Sequence, residues 1–184
     1  MAGTFPGTTI EVSALTKGSS KALFDGVFAA GGITLSQVSV MTGLEPYVIQ
    51  NWVKRGFLTS PVKRLYSRQQ FARILIINML RDSLQIERIC GLIQIIGGKL
   101  EDPDDDLISD NELYHRYVDM LSDIRLDVVD EATVFKAAQT AAQGFTERIP
   151  GEKKKLCTLL VVMFYAHGAA RIRDKAVELL STLK

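Results

Sequence analysis

Residues 34–56 hold the pattern that most restricts this chain, two short amphipathic helices joined by a single glycine turn. Thr34 followed three residues later by Gln37 is a capping box, in which the hydroxyl accepts from an orphan backbone N–H and the amide reaches back to the cap. A helix therefore starts there. Leu35, Val38 and Val40 are expected to form its apolar side, and Gly43 permits the positive φ of a tight stop. Pro46 suits the first turn of a second helix, where its missing N–H would lack a partner anyway. On that helix Ile49, Trp52 and Val53 fall on one face and are expected to be buried. The opposite face carries Tyr47, Gln50, Asn51 and Lys54, again at helical spacing.

That outer face has the chemistry of a major-groove reader. Gln and Asn pair bidentately with adenine edges, and Lys reaches a guanine or a phosphate. Residues 56–67 are too interrupted by Gly and Pro for a helix and read as a small hairpin or wing with a basic tip at Lys63 and Arg64. Ser67 with Gln70 forms a second capping box, opening a helix through Phe71, Ile74, Leu75 and Leu80. A fourth helix is expected over 84–96, with Ile86, Ile89, Leu92, Ile93 and Ile96 inward and Gly97-Gly98 ending it.

Helix, turn, helix, basic wing, helix, helix is an order that resembles the MerR-type winged helix-turn-helix. Leu35-Ser36-Gln37-Val38 and Thr42-Gly43-Leu44 look like that family's first helix and turn. Residues 49–58 look like its recognition helix and exit, and Arg64 with Tyr66-Ser67 like its wing. The resemblance implies double-stranded DNA as partner. Tyr47, Gln50, Asn51 and Lys54 would then face bases, while Arg55, Lys63, Arg64, Tyr66 and Arg68 would hold phosphates. The strings Ile49-Gln50-Asn51-Trp52-Val53-Lys54-Arg55-Gly56, Ala72-Arg73-Ile74-Leu75-Ile76-Ile77-Asn78-Met79-Leu80-Arg81 and Asp104-Asp105-Asp106-Leu107-Ile108-Ser109 are similar to an uncharacterised bacterial family known only as a domain of unknown function. That likeness covers roughly residues 23–117 and implies no effector or target.

Charge divides the chain in the same way. Residues 33–99 carry nine Lys and Arg against three Asp and Glu, whereas residues 100–184 carry eleven against sixteen. A net charge of +1 thus conceals a basic head and an acidic tail. The expected organisation is an arm and short helix over 1–32, a winged helix-turn-helix over 33–99, and a helical domain over 100–184 for dimerisation or for a ligand or partner. The arm reads as partly loose through Ser20, then as an apolar helix around Leu23, Phe24, Val27 and Phe28 that covers the head or a partner subunit. Between head and tail, the carboxylates of residues 101–106 invite a calcium reading. The spacing opposes it, because a calcium loop counted from Asp102 puts Leu107 where Gly is needed and Leu113 where a bidentate Glu belongs.

The tail reads as helices over 111–122, 131–143, 153–167 and 169–183, with a break at Pro150-Gly151. Leu156, Leu159, Leu160, Met163, Phe164 and His167 form one apolar stripe, and Ile172, Ala176, Leu179 and Leu180 another. Such stripes are usually core and sometimes a subunit interface. Cys90 and Cys157 fit no metal-ligand spacing and read as buried thiols, and His115 and His167 stand alone. No arrangement of nucleophile, base and orienting group and no phosphate loop is recognisable, so no enzyme, catalytic residue, metal or cofactor is expected. No segment is expected to span a bilayer and no signal peptide is recognisable, which points to the cytoplasm.

The reading of the sequence is an all-α chain with a small β wing, a MerR-like head and a helical tail, acting as a dimeric, sequence-specific regulator whose residues 46–55 enter the major groove. A helix-turn-helix adapter that binds protein instead is the competitor. Charge separates the two, since an adapter does not require Lys54, Arg55, Lys63, Arg64 and Arg68 with no carboxylate between Pro46 and Arg81.

Overall fold

The computed structural model describes residues 3–97, 108–127 and 130–183. The chain opens with β1 (Gly3–Thr4) and β2 (Glu11–Val12), then α1 (Ser19–Val27) and β3 (Ile33–Thr34). The head continues through α2 (Leu35–Thr42), α3 (Pro46–Lys54), β4 (Leu65–Tyr66), α4 (Arg68–Leu80) and α5 (Ile86–Gly97). The tail holds α6 (Asp110–Asp123), α7 (Glu131–Ala141) and α8 (Glu152–Ser181). The fold is all-α with two small antiparallel sheets, β1 with β2 and β3 with β4.

α4 is the axis of the molecule. Every residue from Gln70 to Ile77 is buried, so this helix is surrounded rather than laid on a surface. α2, α5, α6 and α8 pack around it. The one charge in that run, Arg73, meets Asp110 in the first turn of α6 through Nε–Oδ2 at 2.6 Å and Nη2–Oδ1 at 3.2 Å. Both side chains are about 95% removed from water, at 5% and 4% exposure. A bidentate geometry is what lets a buried pair recover its desolvation cost.

One hydrophobic cluster runs from Phe5 through Phe71 and Tyr114 to Phe164, so the expected division at 99/100 falls inside a shared core. α1 packs on α6 and α4, with Phe24 touching Phe71 and Tyr114 at ring-centroid distances of 5.4 and 5.7 Å. It covers its own head. The residues before it are not loose. The hairpin of β1 and β2 buries Phe5, Thr9 donates to the Val40 carbonyl at 2.9 Å, and the Tyr114 hydroxyl donates to the Pro6 carbonyl at 2.8 Å. The arm is tied by these bonds to α2 and α6.

The tail differs from expectation in one respect. Residues 153–167 and 169–183 form one continuous helix, α8, because Gly168 serves packing and not chain termination. A Cβ there would lie 2.9 Å from the Leu126 carbonyl oxygen, so only glycine lets the 124–126 segment approach. The first stripe of α8 is core, including Leu156, Leu160, Met163 and Phe164, but residues 171–183 are exposed throughout. Among the described residues α8 is also the one helix long and apolar enough to cross a membrane by length and composition, contrary to the expectation that no segment is. Half of that apolar window is buried inside the fold. The carboxylates of residues 101–106 lie outside the described residues.

Cys90 and Cys157 are free and buried, and burial pushes both thiols up. His115 Nδ1 lies 2.9 Å from the Ser20 hydroxyl, and His167 Nδ1 lies 3.0 Å from the Tyr117 hydroxyl. Burial lowers both imidazoles, His167 from 6.5 to about 4 with the Arg171 charge as a smaller cause.

Candidate functional site

α2 and α3 are set against α4 by a chain of hydrogen bonds that begins in the turn. Thr34 caps α2 with Gln37 in a reciprocal box, its amide donating to Oε1 at 2.8 Å. Gly43 ends α2 at φ 70°, a conformation that costs a residue with a Cβ. Around it the Thr42 hydroxyl donates to the Val38 carbonyl at 2.7 Å, and the Ser39 hydroxyl donates to the Leu44 carbonyl. Asn78 on α4 then donates to the carbonyls of Thr42 and Gly7, both at 3.0 Å. The turn is thereby tied to the axis of the fold and, through Gly7, to the arm.

α3 starts at Pro46 and buries Ile49 and Trp52 fully enough to fix its rotation. Its outer face consequently presents Tyr47, Gln50, Asn51 and Lys54 together, all exposed, with Tyr47 at 70%. Val40, expected on the apolar side of α2, is 74% exposed instead. Val38 and Thr42 take the buried positions, and the step from either of them to Val40 turns it outward.

The wing is built differently from a free-standing hairpin. β4 pairs with β3 across the head, Ile33 opposite Tyr66 and Thr34 opposite Leu65. A bridge from Val62 to Leu65 closes a two-residue turn whose central residues are Lys63 at φ 50° and Arg64 at φ 65°. Two successive left-handed residues describe a type I′ turn, which ordinarily selects Asn and Gly. Here two long cations occupy it, both exposed. From below, Gln70 holds the approach to the wing. Its Nε2 donates to the Thr59 and Ser60 carbonyls, both at 3.0 Å, while its Oε1 accepts from the Ser67 amide in the second capping box. Sequence reading found that box and missed the clamp, because its partners lie ten and eleven residues upstream.

The cations divide into two groups. Arg55 pairs with Glu87 at 2.6 Å and lies over the Phe57 ring at 4.5 Å. Arg68 pairs with Asp25 at 2.6 Å and sits 5.6 Å from the Phe28 ring. No carboxylate among the described residues pairs with Lys54, Lys63 or Arg64. Tyr66 must be removed from the expected phosphate-binding set, because pairing with Ile33 turns its side chain into the core at 2% exposure. Burial also raises its hydroxyl above the ordinary tyrosine range.

The segment that carries α2, α3, the wing, α4, α5 and most of α6 coincides with a known unit. Residues 32–117 match the domain of unknown function DUF1836. The matched segment therefore extends beyond the expected boundary at 99/100 and includes the Arg73–Asp110 pair. It ends at Tyr117, whose hydroxyl meets His167 of α8, so the tail outside the domain is packed directly on it. No curated protein and no solved structure matches the chain. Among the described residues no cluster of His, Cys, Asp and Glu is placed to hold a metal ion.

Proposed function

We propose that this chain is a sequence-specific, DNA-binding transcriptional regulator with a winged helix-turn-helix head of the MerR-like type. The observation that carries the reading is the outer face of α3, where Tyr47, Gln50, Asn51 and Lys54 are exposed together beside Lys63 and Arg64 on the wing. In this mechanism α3 enters the major groove. Gln50 and Asn51 read base edges, with Tyr47 and Lys54 at the margins of the same surface. Lys63 and Arg64 neutralise phosphates and fix the register. Arg55 and Arg68 join them by exchanging Glu87 and Asp25 for phosphate, a change favoured because exposed ion pairs contribute only about 0–1 kcal/mol. The protein acts by binding and not by catalysis, in the cytoplasm. It acts as a dimer, since one short helix contacts too few base pairs for tight specific binding.

The test is a fluorescence-anisotropy titration against the DNA upstream of its own coding sequence and against a scrambled duplex, over a salt series. Preference for the native sequence with a steep salt slope is expected. Asn51→Ala should weaken binding to the preferred sequence by about 1–3 kcal/mol, and Lys63→Ala should weaken binding to every duplex and lower the salt slope by about one. Equal losses for both on all sequences would remove the assigned roles. The exposed apolar groups Val40 and Tyr47 favour a second reading, a protein-binding adapter on the same helices. Absence of DNA binding even at low salt would select it.

A further inference from the structure

The outer surface of α8 carries an apolar seam that its own fold does not cover. Tyr165, Ala169, Ile172, Ala176, Leu179 and Leu183 recur at alternating steps of four and three, the heptad spacing of a coiled-coil face. All six are exposed, Ile172 at 63% and Leu183 at 81%. The same steps taken backwards reach Val162 and Thr158. Those two line a groove of about 390 Å³ between α8 and α5, together with Leu92 and Ile95. From Thr158 to Leu183 the seam extends for about 38 Å at the helical rise of 1.5 Å per residue.

The two ends of this seam have opposite shapes. At its start lies a groove with apolar walls. At its end α8 leaves the body, and Arg173, donating to the Asp82 carbonyl at 2.7 Å, makes the last hydrogen bond from α8 to another element among the described residues. Beyond it Leu179, Leu180 and Leu183 project into water, leaving apolar surface that the fold does not cover.

We propose that the chain pairs with a second copy of itself along this seam, antiparallel, so that the projecting end of each α8 fills the α5–α8 groove of the other. Register supports this occupant over a foreign one. A two-fold axis between residues 170 and 171 sets Val162 against Leu179 of the second copy, and Thr158 against Leu183. It also sets Tyr165 against Ala176, and Ala169 against Ile172, so small residues face large ones as interdigitating layers require. A parallel pairing would instead stack Ala169 on Ala169 and Ala176 on Ala176, leaving voids. The same axis brings the carbonyl end of each helix toward Lys154 and Lys155 at the rim of the partner groove, where cations are favourable. Groove and filling belong to one chain, so the contact is isologous and closes at two. The seam on α8 lies outside the DUF1836 match, while Leu92 and Ile95 of the groove lie within it, and the pairing is argued from this geometry without the DNA-binding reading.

Sedimentation velocity of the whole chain at tens of micromolar tests the pairing, and cysteine probes test its direction. A dimer is expected for the unaltered chain and a monomer of unchanged helical circular dichroism for Leu179→Glu, whose site is on the surface. A monomer in the first case, or a dimer in the second, would overturn the proposal. A mixture of Val162→Cys and Leu179→Cys chains should form a cross-linked heterodimer on mild oxidation, while neither variant should cross-link alone. Cross-linking of Leu179→Cys by itself would place the helices parallel and overturn the geometry. Neither readout involves DNA, so a monomer here would remove the dimeric part of the proposed function while DNA contact by α3 keeps its own separate test.

Discussion

Arg73 and Lys54 sit on neighbouring helices of the same domain, yet their charges are used in opposite ways. On α4 the guanidinium is enclosed and fully matched by Asp110, so its charge is neutralised within the molecule. On α3 the ammonium is exposed and meets no carboxylate among the described residues, as do the wing cations Lys63 and Arg64. A matched internal charge specifies how elements join. An unmatched external one leaves a field for something else to satisfy. The difference teaches that α4 and α6 form the rigid joint of the domain, and that α3 with the wing is the surface it holds out.

The largest test of that contrast is to break the joint. Asp110→Ala leaves Arg73 buried without a counter-charge, and a loss of about 3–5 kcal/mol in unfolding free energy is expected. Urea denaturation followed by circular dichroism measures it. Lys54→Ala, in the same assay, should change stability by less than about 0.5 kcal/mol because the site is exposed. Comparable losses at the two positions would abolish the distinction.

A smaller effect should appear where the tail meets the domain. His167 bonds the Tyr117 hydroxyl, and burial pulls its imidazole from 6.5 to about 4. The folded state therefore holds fewer protons than the unfolded state between those values, so stability rises with pH across that window. Its contribution is fully present above the unfolded value and is lost as pH falls toward 4, an expected drop of about 2 kcal/mol once the part of the ring that water reaches is allowed for. His167→Gln should flatten the profile over the same window. An unchanged slope would mean that the α6–α8 junction does not carry it.

Much of the head could be read from local signals because its elements are started and stopped locally. Both capping boxes, the glycine stop at Gly43 and Pro46 at the start of α3 depend on residues within a few positions of each other. The exposed face of α3 and its buried Ile49 and Trp52 followed from spacing alone, whereas Val53, expected inside with them, is only half-buried. What escaped depends on partners distant in sequence. Tyr66 is buried because β4 pairs with β3, a strand 33 positions earlier that no local pattern announces. Val40 is exposed because α4 chooses which side of α2 is covered. Gly168 reads as a stop until Leu126 is seen beside it. The buried pairing of Arg73 with Asp110, 37 positions away, has no local signal either. In the candidate site the polar face of α3 was legible, whereas the left-handed turn under Lys63 and Arg64 was not, since neither residue is a usual occupant.

That turn supports the most discriminating and smallest effect, because there the demands of folding and of binding have opposite signs. Arg64 is held at φ 65°, where a side chain other than Gly costs about 1 kcal/mol. The residue is exposed, so nothing in the core compensates through its side chain. Arg64→Gly should therefore raise stability by up to about 1 kcal/mol while lowering affinity for all duplexes and reducing the salt slope by about one. If stability rises and DNA binding is untouched, the left-handed cation has no role in a groove, and the wing is only a turn. If both fall, the Arg64 side chain supports the wing itself, and the division between an inward-looking joint and an outward-looking surface must be redrawn to include the wing on the structural side. A gain in one quantity at the expense of the other is the signature of a residue kept in strain for what it touches outside the fold.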